Sequence, residues 1–175
     1  MKEVKKSWMA VVMGVILVGT LVGVVWARPN DRPEAQDITR KVTLTGADFV
    51  PVDDTDDWYI DGPDVFCESG NCVFSAPVVF PCLPSVTVER IKLHVWDNNF
   101  GGNASAQLYR AHPPTATHVW LGKAESPAGI VGLQTYTSDP INKVVWPSQR
   151  AFISLWIGGQ DTKVFGVTVE YHRNI

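Results

Sequence analysis

Hydrophobic and polar side chains alternate with a period of two along much of the chain after Lys41. The clearest case is Glu89–Trp96, in which Ile, Leu and Val alternate with Lys, His and Trp. This period places alternate side chains on opposite faces of a β-sheet. No stretch after Lys41 has the apolar spacing of an amphipathic helix. The pattern therefore predicts an all-β domain over residues 41–175.

Further alternating or apolar runs follow, separated by clusters of Gly, Pro, Asn and Asp. Phe152–Ile157 is apolar on both faces, which is typical of a central strand. The residues Gly158–Asp161 then predict a hairpin turn into Lys163–His172. Many short strands in a domain of this length predict an antiparallel β-sandwich, of which the jelly roll is one version. The other predicted strands are Val42–Leu44, Val73–Phe80, Ser105–Arg110, His118–Lys123, Ile130–Thr137 and Val144–Trp146.

The N-terminal segment differs from the rest of the chain. Met1–Lys6 is basic, and Trp8–Trp26 then carries no charged side chain. Ala27 ends this stretch with a small residue, as at the cleavage site of a secretory signal peptide, so residues 1–27 predict such a peptide. The apolar stretch also approaches the length of an uncleaved membrane anchor, which would be one hydrophobic helix. Both readings place the rest of the chain outside the cell, either secreted or anchored through residues 8–26.

Charge and composition exclude two classes of protein. The chain has 15 Lys and Arg against 18 Asp and Glu, a net charge of −3, and three of the lysines stand in Met1–Lys6. Nucleic acid is excluded as a partner because it requires clustered basic residues against its phosphates. A hydrophobic content of 45% excludes an intrinsically disordered chain. The exception is the polar, proline-containing stretch 28–40, which predicts a flexible linker before the domain.

Two of the three cysteines flank a short loop. Cys67 and Cys72 stand at mirrored positions around residues 68–71, each beside a Phe and a Val. We expect two antiparallel strands with these cysteines opposed, a geometry that suits a disulfide in an exported protein. Cys82 is left over and is able to pair with either of them or to link two subunits. A zinc site is the alternative, but no His is near and thiolates alone leave its shell incomplete.

An acidic segment precedes the cysteines, and no Lys or Arg occurs between Val42 and Glu89. Four carboxylates of one loop offer the oxygen ligands that Ca²⁺ prefers, although their spacing is not that of an EF-hand. Calcium is the candidate cofactor of this loop, and the alternative is a solvated loop that maintains solubility and blunts a sheet edge. Carboxylate pairs also serve glycoside hydrolases, which makes an extracellular hydrolase a further hypothesis. The candidate calcium ligands are Asp53, Asp54, Asp56 and Asp57.

Aromatic residues stand in or beside the polar loops. Rings exposed on a sandwich are suited to stacking on sugars, because each presents an apolar face with a polar edge. Trp96 falls on the face opposite the apolar side chains of its own strand, so we expect it to be exposed. The alternative is that most of these rings fill the core. The candidate ligand-binding residues are Trp58, Tyr59, Trp96, Asp97, Asn98 and Asn99.

Several short motifs occur in a familiar order. They are Leu44–Pro51 (LTGADFVP), Ser75–Val78 (SAPV) leading into Val88–Asn98, Ala106–Arg110 (AQLYR) and Phe165–Tyr171 (FGVTVEY). In this order the chain resembles a loose group of bacterial secreted single-domain proteins of β-sandwich type. The resemblance implies an exported sandwich domain, and it supplies no catalytic residue.

The sequence contains no GxSxG, HExxH or glycine-rich phosphate-binding motif. We therefore predict a non-catalytic β-sandwich that acts at or outside the cell surface and binds carbohydrate or protein through loops at one end. The first alternative is a structural surface protein that self-assembles through sheet faces or edges. Phe152–Ile157 and the spare Cys82 are its support. The second alternative is the hydrolase that uses loop carboxylates.

Overall fold

Twelve β-strands form the regular structure of the residues that this computed structural model describes, which are 38–53, 57–81, 85–98, 101–113, 115 and 117–174. The predicted leader and residues 28–37 of the predicted linker lie outside this set. No helix within it is long and apolar enough to cross a membrane. The strands are β1 (Arg40–Thr45), β2 (Val50–Pro51), β3 (Trp58–Asp61), β4 (Asp64–Cys67), β5 (Asn71–Val78), β6 (Val86–Asp97), β7 (Asn103–His112), β8 (Thr117–Glu125), β9 (Gly132–Thr137), β10 (Lys143–Val145), β11 (Arg150–Gly158) and β12 (Thr162–Arg173).

The strands form two antiparallel sheets. Sheet A has the order β10-β6-β12-β4-β3, and in addition β1 pairs with β12 and β9 pairs with β6. Sheet B has the order β2-β5-β11-β7-β8. The predicted antiparallel β-sandwich is therefore confirmed. The central position predicted for Phe152–Ile157 is also confirmed, because β11 lies between β5 and β7.

Alternation along the strands builds the core between the sheets. In β6 the side chains of Ile91, Leu93 and Val95 are buried, and those of His94 and Trp96 face outward. The same alternation in β11 buries its isoleucines and leucine. Apolar side chains from both sheets thus meet in one layer, and their removal from water is the main stabilising term of the fold. The largest fully buried side chains include Tyr171, Phe49, Phe74, Ile91, Leu93, Leu108, Ile153, Leu155 and Ile157.

Two predicted hairpins are wrong. The turn Gly158–Asp161 connects β11 of sheet B to β12 of sheet A, and the loop between Cys67 and Cys72 connects β4 of sheet A to β5 of sheet B. Both turns are therefore arches that cross from one sheet to the other. Gly159 and Asp161 adopt positive φ values of 90° and 68° in the first arch. A hairpin and an arch use similar turn residues and both keep apolar side chains inward, so the local pattern does not separate them.

The predicted disulfide between Cys67 and Cys72 is confirmed, with the two Cα atoms 5.7 Å apart. Both cysteines are buried at the ends of strands that belong to opposite sheets. The bond therefore fastens sheet A to sheet B at one end of the sandwich. Closing so short a loop contributes about 2 kcal/mol by the chain-entropy argument. Cys82 lies outside the described residues.

A β-bulge changes the phase of β12. The register with β6 slips between Val164 and Gly166, so Phe165 is an extra residue in the strand. The sequence predicts Phe165 on the same face as Val167, but Phe165 is partly exposed and Val164 is buried instead. Because of the bulge, Lys163 faces outward and pairs with Trp96.

Candidate functional site

The structure divides the predicted ligand-binding residues between the surface and the interior. Tyr59 on β3 is exposed and Trp96 on β6 is half-buried, and both face away from the core. Trp58 instead packs against the core, with its ring edge-to-face against Phe74 at 6.0 Å. Asp97 is only 3% exposed, and its Oδ1 accepts a hydrogen bond from the Thr162 hydroxyl at 3.3 Å. Trp58 and Asp97 therefore point inward, and their contribution to ligand binding stays a prediction.

The remaining members of that set are two asparagines after β6. Asn98 is exposed, and its backbone N–H donates to the Asp161 carbonyl at 3.3 Å. Asn99 lies outside the described residues. The structure thus brings Tyr59 and Trp96 to one face of sheet A, and the contribution of the loop asparagines stays a prediction.

Tyr59 and Trp96 belong to one run of directly paired residues. Tyr59 pairs with Phe66, Phe66 with Lys163 and Lys163 with Trp96, and Trp96 continues to Leu133 on β9. These five residues, named here the sheet A strip, cross five neighbouring strands on the outer face. Tyr59 is 50% exposed and Leu133 is 67% exposed. At about 4.8 Å between strands, the strip spans roughly 19 Å.

The side chains of the strip contact one another. The rings of Tyr59 and Phe66 stack at 5.6 Å between centroids with an interplanar angle of 19°. The Nζ atom of Lys163 lies 5.1 Å from the ring centre of Phe66 and 5.8 Å from that of Trp96. A cation held by two aromatic faces orders the rings. The strip is therefore a row of mutually packed rings with one charged hydrogen-bond donor in its middle.

A line of hydroxyl and imidazole groups runs beside the strip. The Nδ1 atom of His94 is 3.0 Å from the Thr135 hydroxyl, and its Nε2 atom is 3.1 Å from the Thr168 hydroxyl. The Thr168 hydroxyl is also 3.1 Å from that of Thr43. Burial lowers the pKa of His94, and the nearby charge of Lys92 lowers it further. A neutral imidazole is therefore favoured in this row of polar groups.

The next row holds an ion network. The Glu170 carboxylate accepts a hydrogen bond from the Lys92 ammonium at 2.8 Å, and the Lys41 ammonium lies 3.4 Å from the same oxygen. The hydrogen bond from Lys92 is the largest cause of a lowered pKa of Glu170, and burial opposes it. This network fixes β1 and β6 to opposite sides of β12. β12 is the strand that carries Lys163 of the strip and Thr168 of the row of polar groups.

We expect this network to make the stability of the fold depend on acid. Because the pKa of Glu170 is lower in the folded protein, its stabilising contribution is complete above the ordinary pKa of 4.5 and is lost as the pH falls through the lower folded value. Urea unfolding at steps from pH 7 to pH 3 measures this. Glu170→Gln should be less stable at pH 7 and should show a smaller loss in acid. Glu68→Gln, at an exposed position outside the network, is the control, and an equal acid loss in Glu170→Gln and wild type would contradict the assignment.

The predicted calcium loop is only partly described. Asp54 and Asp56 lie outside the described residues, whereas the Asp57 carboxylate accepts a hydrogen bond from the Ser69 hydroxyl at 3.3 Å and Asp53 is exposed. Among the described residues, no group of three or more His, Cys, Asp or Glu side chains is arranged to hold a metal. The calcium site therefore stays a prediction. The zinc alternative loses two ligands, because Cys67 and Cys72 are joined in a disulfide.

Phe66, Lys163 and Leu133 are members of the strip that the sequence reading does not identify. Phe66 alternates with buried Val65 and Cys67, so its outward direction is readable from β4 itself. Lys163 is hidden by the bulge at Phe165, which shifts the alternation of β12 by one residue. Leu133 is an apolar residue that is exposed on β9, which pairs with β6 beyond Trp96. Their alignment depends on strand order and register, which only the structure gives.

The fold defines this chain as a two-sheet antiparallel β-sandwich with an aromatic strip on one outer face. No protein-family model matches the sequence, and no curated protein matches it either. The resemblance to bacterial secreted proteins accordingly stays a prediction.

Comparison with solved structures finds sandwich domains of low sequence identity. One is the C-terminal CBM6 of a marine laminarinase from Zobellia galactanivorans, with 16% identity, a TM-score of 0.46 and coverage of 74% of this chain and 98% of that one. A second is the CBM36-1 domain of a multidomain xylanase from the hindgut metagenome of Trinervitermes trinervoides, with 13% identity, a TM-score of 0.46 and coverage of 74% and 96%. A third is the xylan-binding module CBM15, with 13% identity, a TM-score of 0.46 and coverage of 79% and 100%. Similarity at this level assigns no ligand to this chain.

Proposed function

We propose that this protein binds polysaccharide without turning it over, and that sugar rings lie along the sheet A strip. One observation carries the proposal: Tyr59, Phe66, Lys163, Trp96 and Leu133 are directly paired across five strands on the outer face of one sheet. Aromatic rings offer apolar faces to the C–H surfaces of sugars while their edges remain compatible with water. A strip of roughly 19 Å suits a chain of several sugar units better than a single monosaccharide.

The polar groups of the strip and its neighbouring row support the same ligand. A sugar ring needs hydrogen-bond donors and acceptors at its edge as well as an apolar floor. The Lys163 ammonium lies between Phe66 and Trp96, and Thr135 is exposed in the row alongside. Because these groups stand on paired strands, little conformational entropy is lost when a ligand orders them. The arrangement favours an extended, hydroxyl-rich ligand over a purely apolar one.

The proposal places binding on a sheet face and not in the end loops that the sequence favoured. None of the five residues of the strip carries a carboxylate that would serve as a general acid or base, which supports binding without hydrolysis. The predicted leader supports a location outside the cell, where polysaccharides are present. Protein binding and self-assembly through the same face are the competing uses of the exposed Tyr59 and Leu133.

The test is binding of the exported protein to a panel of soluble neutral polysaccharides, measured by calorimetry. Trp96→Ala should weaken binding at least ten-fold, about 1.4 kcal/mol, because it removes the largest ring of the strip. Trp146→Ala is the matched control, since Trp146 is exposed on the turn after β10 and is not part of the strip. Thermal unfolding of each variant shows that it is folded.

Three outcomes would contradict the proposal. The first is a wild-type protein that binds none of the polysaccharides. The second is Trp96→Ala binding as tightly as Trp146→Ala. The third is a wild-type protein that elutes as an oligomer and becomes monomeric in Trp96→Ala, which would assign the face to self-assembly.

A further inference from the structure

The outer face of sheet B carries a second aromatic row. Pro77 pairs with Phe152, Phe152 with Tyr109 and Tyr109 with Trp120, across β5, β11, β7 and β8. These four residues are named here the sheet B row. Trp120 is 55% exposed, and Pro77 is exposed at the opposite end. The row spans roughly 14 Å, and it lies on the side of the sandwich opposite the sheet A strip.

The rings of the sheet B row are held in place by their neighbours. Tyr109 and Phe152 stack at 5.4 Å between centroids with an interplanar angle of 14°. The Tyr109 hydroxyl donates to Gln107 Oε1 at 2.7 Å, which fixes the phenol ring. His118 packs edge-to-face on Phe152 at 5.1 Å. A ligand would therefore meet ordered rings whose fixed positions cost little entropy on binding.

The rows on either side of these rings are polar. On one side lie Arg150, Ala111 and His118, paired directly across β11, β7 and β8. The small side chain of Ala111 leaves a depression between the side chains of Arg150 and His118. On the other side lie Ser75, Ser154, Gln107 and Lys123, also paired directly. The aromatic row is thus bordered by hydroxyl, amide and cationic groups.

The charge of this face points to the kind of ligand. Lys123 forms an ion pair with Glu125. Arg150 is exposed, and no carboxylate of the described residues lies within ion-pair distance of it. A guanidinium without such a partner, beside an aromatic row, is complementary to a carboxylate on a ligand that also stacks.

We propose that the sheet B row is a second binding site and that it takes a polysaccharide bearing carboxylate groups, of the uronic acid class. Sugar rings stack on the exposed Trp120, beside the stacked pair of Tyr109 and Phe152, and a carboxylate pairs with Arg150. Arg150 stands two residues before Phe152 on β11, about 7 Å along the strand. A carboxylate on one sugar unit therefore reaches the guanidinium while a neighbouring unit lies on the sheet B row. This site does not rest on the function proposed for the sheet A strip.

The experiment uses polygalacturonate and its fully methyl-esterified form as probes, with binding to the exported protein measured by calorimetry at low salt. The two polymers share a backbone and differ in charge. Wild type should bind polygalacturonate at least ten-fold more tightly than the ester. Trp120→Ala should weaken binding of both polymers, and Arg150→Gln should remove the preference for the charged one. Arg150→Lys retains the charge and should keep part of that preference.

Arg90→Gln is the matched control, because Arg90 is an exposed arginine on the outer face of sheet A. An equal loss in Arg90→Gln and Arg150→Gln would mean that binding is non-specific attraction, and would overturn the site. Equal affinity for both polymers, or no binding of either, would also overturn it. So would loss of binding in Trp96→Ala with retention in Trp120→Ala, because the ligand would then occupy sheet A.

The two proposals fail separately. Binding of neutral polysaccharides that depends on Trp96, without binding of polygalacturonate, leaves the first standing and overturns the second. Binding of polygalacturonate that depends on Trp120 and Arg150, without binding of any neutral polymer, leaves the second proposal standing and overturns the first. Light scattering of Trp120→Ala without ligand measures its oligomeric state. A change of oligomeric state in that variant would assign the sheet B row to contact between copies and overturn the glycan site.

Discussion

Leu155→Ala should lower the free energy of unfolding by about 2–5 kcal/mol. Leu155 is fully buried at the middle of β11, the central strand of sheet B. Its direct partners are Phe74 on β5 and Ala106 on β7. Because interiors are close-packed and Leu155 is fully buried between two paired strands, truncation leaves a cavity that the surrounding side chains fill only in part. Urea unfolding, with the midpoint and the slope both fitted, measures the loss.

Ser154→Ala is the control for this prediction. Ser154 is the neighbour of Leu155 on the same strand but faces outward and is partly exposed. Its replacement should change stability by less than about 0.5 kcal/mol, as is usual for surface positions. Comparable losses in the two variants would mean that the two faces of β11 are assigned wrongly.

Most of the strands and their buried faces are predictable from the sequence, because burial on one face imposes alternation. The predicted strand Glu89–Trp96 lies within β6, and its apolar side chains are the buried ones. The short strands β2 and β3 are not predicted. Residues 58–61 lie in the acidic stretch that the sequence predicts as a loop, and within the described residues β3 pairs with β4 alone, at the edge of sheet A. An edge strand with one partner and little buried surface has weak apolar patterning.

Sheet membership is not predictable from the same pattern. A side chain that faces the core of a sandwich produces the same alternation in the sequence whichever sheet carries it. Cys67 and Cys72 show this, since their opposition is predicted correctly and yet they stand on strands of different sheets. The connection that contains them is an arch, which depends on pairing partners elsewhere in the chain. Those partners are β12 for β4 and β11 for β5.

The alignment of the candidate site residues is likewise not predictable from alternation along single strands. Tyr59 and Trp96 are identifiable as aromatic residues at polar positions, but they lie far apart in sequence and only register shows that they share a line. Lys163 is placed in that line by a bulge, which no alternation pattern anticipates. On sheet B, Tyr109, Trp120 and Phe152 come from three separate strands, so their alignment also depends on strand order.

Gly46→Ala should lower the free energy of unfolding by about 1–3 kcal/mol and should also weaken glycan binding to the sheet A strip. Gly46 is buried in the 3₁₀ turn after β1, and its N–H donates to the Pro63 carbonyl in the β3–β4 turn. A Cβ atom at this position would lie 2.6 Å from the Pro63 oxygen and 2.7 Å from the Asp64 oxygen. Both are backbone atoms, so the β3–β4 hairpin has to move.

That hairpin carries Tyr59 and Phe66, two rings of the strip. A variant that changes no residue of the strip is therefore expected to reduce its affinity for polysaccharide, with unfolding and calorimetry measured on the same protein. Ala47→Ser, at the exposed next residue, should leave both quantities nearly unchanged. If Gly46→Ala loses stability but binds as wild type does, Tyr59 and Phe66 contribute little, and binding would have to rest on Trp96, Lys163 and Leu133 alone.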